Sequence, residues 1–269
     1  MPKCIFCPNP ANSNEHIFPD WINGEFPNPT HERWTVTRRV GAMETQWPTW
    51  ETAYLRCKVV CKRCNETWMC NIERQLKPII LPMIRGVQVR LTPEEQLDLG
   101  TWGTLKAFVF ETRGGHGPVA SDEDRRILKE QGRPPANVRA FLAAHSGGNR
   151  FAVLRIRADG YKKDSTELES ASATTFVLGH LVVQVLGNPR SDYRAFQGLG
   201  VADNRSQSLV PPVAAGRLWP SPQLLDNATL DEFAYANVQV TMPLPPETHP
   251  DPERRPAGEP PETPDQPPP

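Results

Sequence analysis

Two cysteine pairs, Cys4-Ile-Phe-Cys7 and Cys61-Lys-Arg-Cys64, lie 53 residues apart in this chain. Zinc binds four soft ligands in a tetrahedron, and two such knuckles supply them from two separate segments. Between the pairs, close behind the first, sits Glu15-His16, and Asn65 directly follows the last thiolate. A metal that ties Cys4, Cys7, Cys61 and Cys64 together therefore brings His16, Glu15 and Asn65 close to one another. An imidazole titrates near neutral pH and suits a general base. The carboxylate and the amide oxygen suit a hard cation such as Mg²⁺. The plainer alternative is a set of reduced thiols sitting in a core; Cys57 and Cys70 read as structural or incidental thiols.

Charge is distributed in a way that bears on partners. The net charge is -1 over 269 residues, which makes no case for a polyanion. From Tyr54 to Arg90, however, eight basic residues (Arg56, Lys58, Lys62, Arg63, Arg74, Lys77, Arg85, Arg90) face only Glu66 and Glu73, a local +6. A phosphate backbone fits that stretch, with Lys58, Lys62, Arg63, Arg74 and Lys77 as the candidate nucleic-acid contacts; a solvated helix face would look the same. Residues 243–269 hold 12 of the 30 prolines together with acidic residues, and they read as a disordered tail. No run of apolar residues reaches the ~18 to 20 needed to cross a bilayer, and the start has no signal-peptide core. The expectation is a cytoplasmic protein in which paired thiols are reduced metal ligands.

The elements that must position these groups are legible in outline, and the expected fold class is α+β. Residues 1–85 read as a small metal-stapled module, 91–242 as a mixed α+β domain of unassigned role and 243–269 as the tail. Val59-Val60 reads as a short strand entering the second knuckle. A helix is expected from Asn65 to about Lys77, with Trp68, Ile72 and Leu76 as its apolar stripe and Pro78 and Pro82 limiting its extent. Thr92-Pro93-Glu94-Glu95 opens a second helix with a cap, a first-turn proline and a capping-box glutamate, despite Gly100 and Gly103 inside it. Ser121 opens a short helix stopped by Gly132. Val138 to Ala144, Phe151 to Arg157 and Thr174 to Leu186 read as strands, with Asp159-Gly160 as a turn, and Thr229 to Ala236 reads as a helix.

Taken together, Cys4, Cys7, Glu15, His16, Pro19, Cys61, Cys64 and Asn65 resemble the pattern of the zinc-stapled HNH endonucleases of the His-Me finger (ββα-metal) superfamily. The continuation Cys64-Asn65 to Trp68-Met69 with Glu73 is similar to a group of bacterial HNH-like proteins. The resemblance spans about the first 80 residues. It implies an N-terminal ββα-metal module in which His16 is the general base that activates a water against the scissile phosphate of DNA. Glu15 and Asn65 would hold one catalytic Mg²⁺ or Mn²⁺, leaving 5′-phosphate and 3′-hydroxyl ends; Glu73, about two turns further along the same helix, reads either as a further ligand or as a helix-surface acid. The chain departs from the pattern at one point: where the family has an asparagine that orients the histidine, this sequence has Arg56.

Three readings follow. The first is a metal-dependent DNA endonuclease, with a homodimer as a possible cutting form. The second is a non-catalytic zinc-dependent nucleic-acid-binding or adaptor protein on the same fold. The third, a purely structural zinc protein, leaves the placement of Glu15-His16 as coincidence. Trp21, Trp34, Trp47 and Trp50, in the long insert between the knuckles, are candidates for base stacking or for packing. His180 reads as a satisfied core residue and His116 as part of a glycine-rich loop. His31, His145 and His249 have no evident partners in the sequence.

Overall fold

The computed structural model describes residues 2–13, 15–26, 37–40, 43–46, 51–52, 56–112, 118–161, 168–188, 206–220 and 223–236. The chain is a mixed α+β protein of helices and antiparallel sheets. In chain order the elements are β1 (Glu15–His16), α1 (Asp20–Asn23), β2 (Thr37–Val40), β3 (Met43–Gln46), β4 (Glu51–Thr52), β5 (Arg56–Cys57) and α2 (Lys62–Cys64). A π-helical turn (Asn65–Met69) leads into α3 (Cys70–Ile84), followed by β6 (Val89–Leu91), α4 (Pro93–Phe110) and α5 (Asp122–Gln131). The remainder comprises β7 (Val138–Ala144), β8 (Phe151–Tyr161), β9 (Leu168–Leu178), β10 (Leu181–Gly187), β11 (Ser206–Val210), β12 (Arg217–Trp219) and α6 (Asn227–Ala236).

A six-stranded antiparallel sheet, ordered β11-β7-β10-β9-β8-β4, forms the centre. Side chains alternate across a pleated strand, and both faces of this sheet are covered. Val138, Ala140, Leu142 and Ala144 of β7 join Val183 and Val185 of β10 in the core shared with α4. Phe141, Ala143, Val182 and Leu186 turn the other way and pack with Leu230 and Phe233 of α6. Burial on both faces is why these strands read as continuous apolar runs rather than alternating ones. The run from Thr174 to Leu186 is accordingly a hairpin rather than one strand. Gly179, at φ +61, makes the tight reversal between β9 and β10, where a Cβ would sit 2.5 Å from the Ile84 carbonyl oxygen. The backbone of β8 runs on as strand through Asp159-Gly160 to Tyr161, paired with β9 along its whole length, so the expected turn there is absent.

Helix α4 is capped as its sequence demands. The Thr92 hydroxyl accepts from the Glu95 N–H, and the Glu95 carboxylate accepts from the Thr92 N–H. Its two interior glycines are the contact surface with the sheet: a Cβ at Gly100 would meet Val210 Cγ2 at 2.5 Å, and one at Gly103 would meet Val183 Cγ1 at 2.9 Å. α5 begins with a Ser121–Asp124 capping box and ends at Gly132, in the left-handed conformation with φ +61. α6 covers the expected 229–236 segment and starts two residues earlier.

The first knuckle region differs in detail from the sequence expectation. The strand before the second pair is Arg56–Cys57, antiparallel to Glu15–His16, and Val59 and Val60 instead use their carbonyls to tie down Ile5 and Ser13. The helix after the second pair runs on to Ile84, through Pro78 and Pro82. Pro78 lies on the exposed side, while Leu76, Ile80, Met83 and Ile84 are buried. That apolar stripe outweighs the two ladder hydrogen bonds the prolines remove. The π turn inserts one extra residue and rotates the stripe, so Trp68 and Ile72 are only half-buried and Met69 goes inside.

Candidate metal centre and adjoining cleft

The four knuckle thiols converge. One sulfur each from Cys4, Cys7, Cys61 and Cys64 lies within 4.8 Å of the others, with Cys7 Sγ 3.5 Å from Cys61 Sγ and 3.6 Å from Cys64 Sγ. A tetrahedral zinc with Zn–S of about 2.3 Å sets sulfurs about 3.8 Å apart, so this spacing fits the ion. Backbone amides support the sulfurs: the Phe6 N–H points at Cys4 Sγ (3.5 Å) and the Cys64 N–H at Cys61 Sγ (3.4 Å). The first knuckle is closed by Cys4 N–H to Asn9 O at 2.8 Å and held against the second by Ile5 N–H to Val59 O at 3.0 Å. Phe6 packs edge-on against Trp68, with centroids 5.1 Å apart. The cluster could hold a metal such as zinc.

Burial and the neighbouring thiols shift the knuckle sulfurs in opposite directions. Burial pushes the Cys64 thiol up to about 12, offset in part by the Trp68 indole beside it, and burial also raises Cys4. At Cys61 burial acts in the same direction, but it is overcome by the Cys64 N–H and by hydrogen bonds from the neighbouring thiols, leaving that sulfur at about 7. Cys57 and Cys70 form no disulfide and are half-buried.

The knuckles bring together the segments that carry the expected site residues. The ladder places His16 opposite Arg56 and Glu15 opposite Cys57. Two residues before Glu15, Ser13 is buried, and its hydroxyl accepts from Asn65 Nδ2 at 3.3 Å. The Lys62 N–H donates to Asn12 Oδ1 at 2.9 Å. Asn65 begins the π turn, and the extra residue of that turn places Asn65, Cys70 and Glu73 along one cleft. Together with Phe18, Pro19, Asp20 and Glu66 they line an open space of about 220 Å³. π turns are frequent at functional sites because they re-aim side chains.

Glu73 is not a solvated helix-surface acid. Its carboxylate Oε1 accepts a short hydrogen bond from Lys106 Nζ, with only 15% of the Glu73 side chain and 2% of the Lys106 side chain exposed. The same ammonium donates to the Ile17 carbonyl at 2.5 Å and lies 5.8 Å from the Phe18 ring centre. Phe18 in turn anchors β1 to the central fold through Trp102, Phe151 and Phe176, at centroid distances of 5.4 to 5.9 Å. Phe26 stacks flat on Phe151 at 4.6 Å.

Lys106, Asp20 and Ser13 escaped the sequence reading. For Lys106 a signal existed: it is the one charged residue between Asp98 and Glu111, inside an otherwise apolar helical run. A lysine in that setting is kept only with a partner.

The expected nucleic-acid contacts Lys58, Lys62, Arg63, Arg74 and Lys77 are all exposed. Lys62 makes a 3.5 Å pair with Glu66, Arg74 bonds Asn71 at 3.3 Å, and Lys77 sits 5.8 Å over the Trp21 ring. Trp34, Trp47, Trp50, His31, His116, His249 and the proline-rich tail lie outside the described residues. His180 is satisfied, but in the β9–β10 turn rather than within a strand, its Nδ1 bonding the His145 carbonyl at 2.8 Å. His145 does have partners: Gly147 O at 2.8 Å and Asn227 Oδ1 at 3.1 Å.

No helix among the described residues is long and apolar enough to cross a membrane. Comparison of the chain with family models, curated proteins and solved structures returns no match.

Proposed function

We propose that the chain is a divalent-metal-dependent DNA endonuclease whose N-terminal region is a zinc-stapled HNH module. The observation that carries this reading is the convergence of two segments through one four-cysteine cluster. The β1 strand bearing Glu15 and His16 and the turn bearing Asn65 are joined there, Asn65 donates to Ser13 just ahead of β1, and Asn65 opens onto a cleft that also receives Asp20 and Glu73.

In this reading His16 takes a proton from water, a role for which imidazole is the usual side chain. Asn65 uses its amide nitrogen on Ser13, which leaves its oxygen for a cation shared with Glu15. Glu73, held on one oxygen by Lys106, is the further candidate at the edge of the cleft. When bound, Mg²⁺ or Mn²⁺ supplies charge stabilisation for the phosphate and the leaving 3′ oxygen. Lys58, Lys62, Arg63, Arg74 and Lys77 present cations to the DNA backbone beside the cleft. The cysteine cluster, with zinc, holds the two segments together and takes no part in proton transfer.

One observation favours a second reading, a zinc-dependent binding or adaptor protein without cleavage. Arg56 stands opposite His16 in the β1–β5 ladder, at the position where the HNH pattern has its orienting asparagine. Incubating zinc-loaded protein with supercoiled plasmid and Mg²⁺ or Mn²⁺ separates the two. The first requires nicked products with 5′-phosphate and 3′-hydroxyl ends, and the second yields binding alone.

A further inference from the structure

We propose that Lys106, from the helix outside the zinc-stapled region, is the positioning residue that holds β1 in register with the Asn65–Glu73 helix. The inference rests on the nuclease reading for its catalytic readout but not for its structural one.

A buried ammonium is kept only where acceptors meet it. Lys106 is 2% exposed, carries three donors and has no acceptor function. One donor goes to the Ile17 carbonyl, on the residue directly after His16, and one to the Glu73 carboxylate, eight residues along the chain from Asn65. The ammonium also rests over the ring of Phe18. A single side chain on α4 thus fixes the backbone on one side of the cleft and a side chain on the other. β1 is only two residues long, so its ladder alone specifies its position weakly, and a charge-assisted bond to the carbonyl at its exit is a strong constraint.

Packing alone does not call for a lysine here. Apolar groups of similar volume usually replace a buried ion pair at no cost in stability. The polar solution has one consequence an apolar one lacks: a fixed direction for the Ile17 carbonyl, and through it for the backbone of His16. Misplacing a reacting group by about 1 Å costs about 100-fold in rate.

The test compares full-length, zinc-loaded wild type with Lys106→Met, Glu73→Gln and the double variant Lys106→Met/Glu73→Gln. The double variant lacks the ammonium but leaves no unpaired carboxylate, so it keeps the test open where Lys106→Met fails to fold. Two readouts are taken: plasmid nicking in Mn²⁺, and the ring C–H NMR signal of His16, assigned by its loss in His16→Ala. The expected result is a fall in kcat of about 100-fold with KM for plasmid changed by less than about twofold. The His16 signal should move in both Lys106 variants while those of His145 and His180 stay put. Glu73→Gln, which retains an acceptor for the ammonium, should leave the His16 signal in place. Folded Lys106 variants with wild-type kcat and an unmoved His16 signal overturn the inference. If wild type itself does not nick, the nuclease reading fails, and the NMR arm decides alone: a displaced His16 signal upholds the positioning role and an unmoved one ends it.

Discussion

Removing the metal from the cysteine cluster should release the knuckle region while sparing the central sheet. The segment 4–13 buries only Cys4, Phe6 and Ala11 as apolar residues. Full burial of a side chain as large as Phe is worth about 1.5–3 kcal/mol. Ordering those ten residues costs about 1–2 kcal/mol each. Packing therefore falls well short, even with the hydrogen bonds to Val59 and Val60 added. A structural zinc in small thiolate modules contributes about 10–16 kcal/mol at neutral pH, enough to make up the difference. The sheet and α4, by contrast, supply most of the core on one face, including Trp102, Val183 and Val185, and the sheet packs a second cluster against α6 on the other. The assay is hydrogen exchange on chelator-stripped protein and on Cys64→Ser, with bound zinc measured alongside. Wild type should carry one zinc per chain. Loss of the metal should abolish protection across 4–13 and 57–69 and leave 138–144 and 181–187 protected. A zinc-free protein that keeps its protection at 4–13 would refute the reasoning.

Other perturbations test separate parts of the account. Gly100→Ala gains about 1 kcal/mol of helix propensity but drives a Cβ to 2.5 Å from Val210 Cγ2. Overpacking costs about 1–3 kcal/mol, so the melting temperature should fall by a few degrees, and a rise would contradict the packing described. At His145, burial holds the imidazole below its usual range, reinforced by Arg150 and His180 and opposed by its bonds to Gly147 and Asn227. Asp226 also faces it, and Asp231 pairs with Arg150. The unfolded chain therefore binds the proton first, and stability present above about pH 6.5 should be lost as pH falls. The drop in melting temperature between about pH 7.5 and about pH 5.5 should shrink in His145→Asn; an equal drop would assign the effect elsewhere. On the exposed basic face, Lys58→Gln and Arg63→Gln should each lower the salt dependence of DNA binding by about one unit of slope, measured in EDTA, and an unchanged slope would move the DNA to another surface.

What the sequence made legible tracks how local each signal is. The capping box at Thr92, the helix start at Ser121 and the stop at Gly132 depend on neighbours within four residues, and each is in place. The cysteine cluster was legible because thiolate chemistry fixes ligand number and spacing. The β9–β10 hairpin was not, since burial on both faces erases the alternation that marks a strand end, and only Gly179 marks the turn. The length of α3 was misjudged because prolines are read locally, whereas the stripe that carries the helix through them is a tertiary effect. The Lys106–Glu73 pair joins residues 33 positions apart: the lone lysine of an apolar helical run calls for a partner, but nothing local says which acid supplies it. The π turn at Asn65–Met69, which gathers Asn65, Cys70 and Glu73 along one cleft, leaves no periodic signature in so short a segment.

The central claim, that His16 and Asn65 form a metal-dependent hydrolytic site on a zinc-held scaffold, is tested most directly by nicking of supercoiled plasmid in Mg²⁺ or Mn²⁺. Wild type and His16→Ala would be compared at equal, verified zinc content. The account predicts nicking by wild type that EDTA abolishes and that His16→Ala lacks while still binding zinc. Cleavage that persists in His16→Ala, or none by fully zinc-loaded wild type, would contradict it.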